Sequence, residues 1–135
     1  MDPEPQKTQE AVPARGHILL VDDEEDIRRM TCRFLTKLGY KVTAFGDGAE
    51  GVQFYREHHQ DVEVIILDMI MPKMDGHAAF REMKKINPDA RILLVSGFAA
   101  EALARECMNE GALAFVSKPY MIGDLAQIIS THMGN

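Results

Sequence analysis

Val64-Ile65-Ile66-Leu67 sets four apolar residues in a row, three of them β-branched, directly before Asp68. Such a run reads as a strand covered on both faces, the pattern of a central strand in a parallel sheet. Pro72 and then Asp75-Gly76 mark an irregular loop ahead of the next helical pattern. Asp68 is therefore expected at the carboxyl end of a central strand. Open α/β sheets keep their chemistry in the crevice outside that edge. Capping a loop or the next helix is the other use for Asp68, and its position alone leaves both open.

The chain has 135 residues, a length that suits one domain with a single core. A hydrophobic share of 46% and a charged share of 27% are ordinary for a globular protein. No apolar run approaches the roughly 20 residues of a membrane helix, and the N-terminus has no apolar leader pattern. Cys32 and Cys107 lie far apart and form no CxxC, which fits a reducing compartment. The net charge of −6 argues against a phosphate-backbone binder. The expectation is a cytoplasmic domain with no direct nucleic-acid contact and no membrane association.

Residues 1–15 carry Pro3, Pro5 and Pro13 among polar residues and read as a disordered tail or linker remnant, with the folded domain over 16–135. His17-Ile18-Leu19-Leu20-Val21 is the first strand. Five acids follow, Asp22 to Asp26. Helix dipole and capping account for Glu24, Glu25 and Asp26, but less well for Asp22 and Asp23 at the strand edge itself. Ile27, Met30, Phe34, Leu35 and Leu38 repeat at helical spacing, and Gly39 suits the helix end. Tyr40–Phe45 is a second strand, nearer a sheet edge. Asp47 and Glu50 form a capping-box pattern at the start of a helix. Gly51 inside that helix costs roughly 1 kcal/mol against alanine, which points to close packing there. Asp75 caps the next helix, and Asn87-Pro88 ends it. Arg91–Val95 is the fourth strand, Ala99–Asn109 an alanine-rich helix, Ala114–Ser117 the fifth strand, and Gly123 to about His132 the last helix.

Five alternations of strand and helix imply a parallel sheet covered on both faces, joined by right-handed crossovers. The fold class is α/β, a flavodoxin-like (βα)5 doubly wound sheet with strand order 2-1-3-4-5 and its switch point between the first and third strands. The strand ends then deliver Asp22 and Asp23, Asp68, Ser96 and Lys118. Converging carboxylates repel and raise one another's pKa. A divalent cation removes that problem, and hard oxygen ligands suit Mg²⁺. Lys118 and the Ser96 hydroxyl are suited to hold phosphoryl oxygens during in-line transfer.

These residues resemble the receiver domain of two-component response regulators and hybrid sensor kinases. The matching pieces are Asp22-Asp23, Leu67-Asp68-Met69-Ile70-Met71-Pro72-Lys73-Met74-Asp75-Gly76, Ser96-Gly97 and Lys118-Pro119, and the likeness runs from about Gly16 to the C-terminus. The resemblance implies that Asp68 is the phosphoacceptor, taking a phosphoryl group from a histidine kinase or phosphotransfer domain. It implies direct Mg²⁺ (or Mn²⁺) ligation by Asp23, Asp68 and the backbone carbonyl of Ile70, with Asp22 acting mostly through a metal-bound water. It implies that Ser96 moves toward the phosphoryl group, that Lys118 pairs with Asp68 at rest, and that Phe115 is a switch aromatic, unless Phe115 is a static core residue. The Lys118–Pro119 bond is expected to be cis, and no turnover enzyme is expected. The surface of the fourth helix, fifth strand and last helix is the implied output face, for a homodimer or a downstream partner. Because the chain ends one helix after Lys118, a stand-alone receiver, a piece of a hybrid kinase and the front of a longer regulator all remain open.

Ile70 and Phe98 are apolar where many receivers carry polar side chains. Both are expected to flank the phosphoryl group and obstruct an attacking water. A haloacid-dehalogenase-like phosphatase would need a second Asp two residues after Asp68, where Ile70 stands. A flavin or nucleotide binder would want a glycine- or hydroxyl-rich loop where this chain has five acids. A receiver that is never phosphorylated would usually lack one of the acids or the lysine. The five histidines show no HExxH-type spacing. Met71, Met74 and Met121 suit either core packing or a partner surface.

Overall fold

The computed structural model describes residues 15–71, 73–97 and 100–132 and the backbone of Met133. The tail over 1–14, Pro72, Phe98 and Ala99 lie outside the described residues. Five strands alternate with five helices: β1 (His17–Val21), α1 (Glu25–Lys37), β2 (Lys41–Phe45), α2 (Gly48–His58), β3 (Val64–Asp68), α3 (Gly76–Ile86), β4 (Ile92–Ser96), α4 (Glu101–Asn109), β5 (Ala114–Ser117) and α5 (Ile122–Met133). All strands run parallel in the order 2-1-3-4-5, so the expected topology holds.

The period-2 alternation of a strand explains the two cores. Leu19, Val21, Ile65, Leu67, Ile92 and Leu94 point to one face, where α2, α3 and α4 bury Val52, Tyr55, Phe80, Met83 and Cys107 against them. Ile18, Leu20, Ile66, Leu93 and Val95 point to the other, against Leu35 of α1 and Leu125 and Ile129 of α5. β1, β3 and β4 are buried throughout, which is why their sequences are continuous rather than alternating. β2, an edge strand, is more exposed.

The local chemistry of the turns follows the sequence. Asp47 Oδ1 accepts hydrogen bonds from the amides of Ala49 and Glu50, and Asp75 Oδ1 accepts from Ala78. Gly39 ends α1 at φ +102°, a conformation that favours glycine. A Cβ on Gly51 would lie 2.6 Å from Val21 Cγ2, so the glycine lets α2 settle on β1. Two boundaries shift. Tyr40 precedes β2 and is buried against the second core. Arg15, read as tail, is tied down: its amide donates to the Gly39 carbonyl at 2.9 Å, and its guanidinium lies over the Tyr40 ring. Met71 is buried, Met74 packs against the first core, and Met121 is exposed.

Candidate functional site

Strand register builds the site. Val21 pairs with Leu67, so Asp22 and Asp68 leave the sheet side by side. Asp68 pairs with Val95, and Ser96 with Ser117. Ser96 therefore emerges one step further along the same edge, and Lys118 two. Side chains that lie far apart in sequence meet there because neighbouring parallel strands end together.

Asp68 is buried, and its Oδ2 accepts a hydrogen bond from Lys118 Nζ at 3.3 Å, while its Oδ1 accepts from the Ile70 amide at 3.3 Å. Asp22, also buried, has Oδ2 3.5 Å from Lys118 Nζ, and its Oδ1 accepts from the Glu24 amide at 2.9 Å. Burial, and then the neighbouring Asp22 charge, push the Asp68 carboxyl up to about 7 despite the opposing pull of Lys118. Burial works against the Lys118 ammonium, but the bond to Glu24 and the charges of Asp68 and Asp22 raise its pKa above the ordinary lysine value. Ser96 is buried, and its Oγ donates to the Gly97 carbonyl at 2.9 Å. Phe115 is half-buried against the first core. The Lys118–Pro119 bond is cis.

Asp23, Glu24, Asp68, Ile70, Gly97 and Lys118 line a crevice of about 260 Å³. A water takes about 30 Å³ of liquid, so there is room for a partly hydrated cation and a tetrahedral oxyanion. A larger groove, about 550 Å³, runs beside α1 among arginine and lysine side chains and has no carboxylate in its lining. Asp22, Glu24 and Asp68 offer carboxylate oxygens that lie within 4.8 Å of one another. Two of the three are buried, all are hard donors, and one ammonium serves them all. The buried pair Asp22 and Asp68 fits a hard divalent cation, while the exposed Glu24 is paired with Lys118. Asp23 is exposed and lines the crevice without belonging to this closest trio. Ile70 is 51% exposed beside Asp68. A second cluster, His77 with Glu106 and Glu110, joins α3 to α4, and there Arg81 already neutralises Glu110.

Glu24 corrects the sequence reading. It was expected to serve the helix terminus. It does stand at the N-cap of α1, but it makes no side-chain capping bond. Its carboxylate instead accepts from Lys118 Nζ, the closest of the lysine's three ion pairs. Nothing in local spacing signals a partner 94 residues away. The only hint was that glutamate is a poor N-cap beside Ser, Thr, Asp or Asn.

A doubly wound sheet with three aspartates and a lysine at one edge defines a class: α/β signalling domains organised around an acidic pocket. The chain belongs to the response regulator receiver domain family, whose sequence model matches residues 18–130. Receiver domains are the regulatory modules of two-component systems. The chain is similar to the response regulator receiver protein CpdR of Brucella abortus, at 36% identity over 112 residues, covering 83% of this chain and 92% of that one. It is 34% identical to the chemotaxis protein CheY of Bacillus subtilis over 114 residues, covering 84% and 93%. The sensor kinase CckA of Brucella abortus shares 34% identity over 112 residues, covering 83% of this chain and only 12% of the kinase. A receiver domain protein from Clostridium thermocellum superposes with a TM-score of 0.84 at 31% identity, covering 88% and 94%. In the CheX–CheY–BeF3–Mg complex from Borrelia burgdorferi the corresponding values are 0.79, 28%, 87% and 88%.

Proposed function

We propose that this domain is a cytoplasmic phosphoacceptor switch, loaded at Asp68 from the phosphohistidine of a histidine kinase or phosphotransfer domain. The observation that carries the reading is a buried carboxylate at the end of the central strand with an ammonium 3.3 Å away. In the transfer, an Asp68 oxygen forms a bond to phosphorus as the N–P bond of the donor breaks. The imidazole leaves with the electron pair and takes a proton from solvent. Lys118 steadies the phosphoryl oxygens, and Ser96 exchanges its bond to Gly97 for one to the new group. Bound Mg²⁺ (or Mn²⁺) would neutralise charge on those oxygens, held directly by Asp23, Asp68 and the Ile70 backbone carbonyl, with Asp22 acting mostly through a metal-bound water. The half-buried ring of Phe115 turns inward as Ser96 moves. This shifts the population of the surface formed by α4, β5 and α5 toward a state read by a second copy or a downstream partner.

The test uses acetyl phosphate as a small acyl-phosphate donor with Mg²⁺. Wild type should become labelled, and Asp68→Asn and chelated wild type should not. Label on Asp68→Asn of an otherwise folded protein would overturn the reading. Self-dephosphorylation is expected to be slow, because the apolar Ile70 at the crevice gives an attacking water nothing to bond. Ile70→Asn should shorten the acyl-phosphate half-life on the order of tenfold, about 1.4 kcal/mol of barrier. Equal half-lives for the two proteins would refute it.

A further inference from the structure

We infer that Glu24 is a built-in stand-in for the phosphoryl group, occupying the Lys118 ammonium until the phosphoryl oxygens displace it; the inference rests on the phosphoacceptor reading above. An ammonium has three N–H donors. Here it bonds Glu24 and Asp68, and Asp22 Oδ2 forms a third ion pair 3.5 Å away. An arriving oxyanion competes with three carboxylates for this one ammonium, so Lys118 grips it best when one of them withdraws. Asp22 and Asp68 have side chains 3% and 4% exposed, whereas Glu24 is 53% exposed. The two aspartates would leave an unpaired buried charge behind, while Glu24 swings directly into water. Its helix does not hold it either, since Glu24 makes no side-chain capping bond. The backbone stays anchored as the carboxylate leaves, because the Glu24 amide donates to Asp22 Oδ1. Glu24 is thus a positioning residue acting through Lys118. It sets how strongly an anionic donor must bind to open the site, and its release marks the loaded state at the start of α1.

Occupancy and plain charge are separable. Glu24→Gln removes both. Glu24→Asp keeps the charge but shortens the reach to Lys118. Glu25→Gln removes a neighbouring charge that pairs with Arg29, not Lys118. Beryllofluoride with Mg²⁺ is the probe, titrated by calorimetry into the whole chain, beside Mg²⁺ alone. A half-exposed ion pair predicts about fivefold tighter beryllofluoride binding for both Glu24 variants, and a change within about twofold for Glu25→Gln. Mg²⁺ affinity should not fall. Unchanged beryllofluoride affinity in the Glu24 variants would overturn the inference and leave the phosphoacceptor reading standing. Equal gains in Glu24→Gln and Glu25→Gln, with Glu24→Asp like wild type, would assign the effect to bulk charge. Weaker Mg²⁺ binding in Glu24→Gln would make Glu24 a cation ligand instead. A wild type that takes up no beryllofluoride would sink both readings.

Discussion

Gly76→Ala should destabilise the domain by about 3 kcal/mol and slow acyl-phosphate labelling of Asp68. Local propensity predicts the opposite sign. Gly76 is the first residue of α3, and alanine is favoured over glycine in a helix by up to about 1 kcal/mol. Tertiary packing overrides that preference. A Cβ on Gly76 would lie 2.5 Å from the Asp68 carbonyl oxygen, 2.5 Å from Met69 Cα and 3.0 Å from Met69 Sδ. Two of those three atoms are backbone, which cannot rotate aside. The Gly76 amide also donates to the Met69 carbonyl at 2.9 Å, pinning the approach from the same side. Relief therefore moves the end of β3, the segment that aims Asp68. Gly123→Ala is the control. It lies in α5 with nothing within 4 Å of its would-be Cβ, and should stabilise by about 0.5–1 kcal/mol. Urea denaturation of both variants, with labelling rates for Gly76→Ala, checks the pair. A Gly76→Ala protein as stable as wild type would show that the β3–α3 junction is looser than this geometry requires.

The same junction shows what a sequence can announce. β1, β3 and β4 lie under helices on both faces, so their apolar runs are unbroken and easy to recognise. Asp22, Asp68 and Ser96 each follow or end such a run, Lys118 follows the shorter and less buried β5, and neighbouring parallel strands bring them all to one edge. Gly51 was legible because a glycine inside a helix needs a reason, and Val21 supplies it. Glu24 was not legible. Five acids in sequence look alike, and which one reaches Lys118 depends on how α1 leaves β1 and where β5 ends. Arg15 was missed for a related reason: a polar residue beside a proline-containing tail gives no local sign of stacking on Tyr40. Strand ends are set by the hydrophobic pattern, whereas long charged side chains choose partners only after the chain has folded.

Asp68→Asn should stabilise the metal-free protein at pH 8 by about 2 kcal/mol, after allowing for solvent screening in the crevice, even as it abolishes labelling. Burial and Asp22 raise the folded-state carboxyl to about 7, while in the unfolded chain it titrates near 4. Between those values the folded protein holds a proton that the unfolded chain has lost, so stability falls as pH rises through that window. Above 7 the folded state carries an ionised, buried carboxylate beside Asp22, which Lys118 only partly offsets. Asparagine keeps the shape and an oxygen for Lys118 but never ionises. The gap between the two proteins should therefore be widest above pH 7, narrow through pH 6 and 5, and close toward pH 4. Mg²⁺ favours the ionised form, so adding it at pH 8 should stabilise wild type more than the variant and shrink the gap again. Thermal or urea unfolding across that pH range, with chelator and then with Mg²⁺, measures each step. A gap independent of pH would mean that Asp68 stays ionised throughout, with Lys118 rather than burial governing its charge.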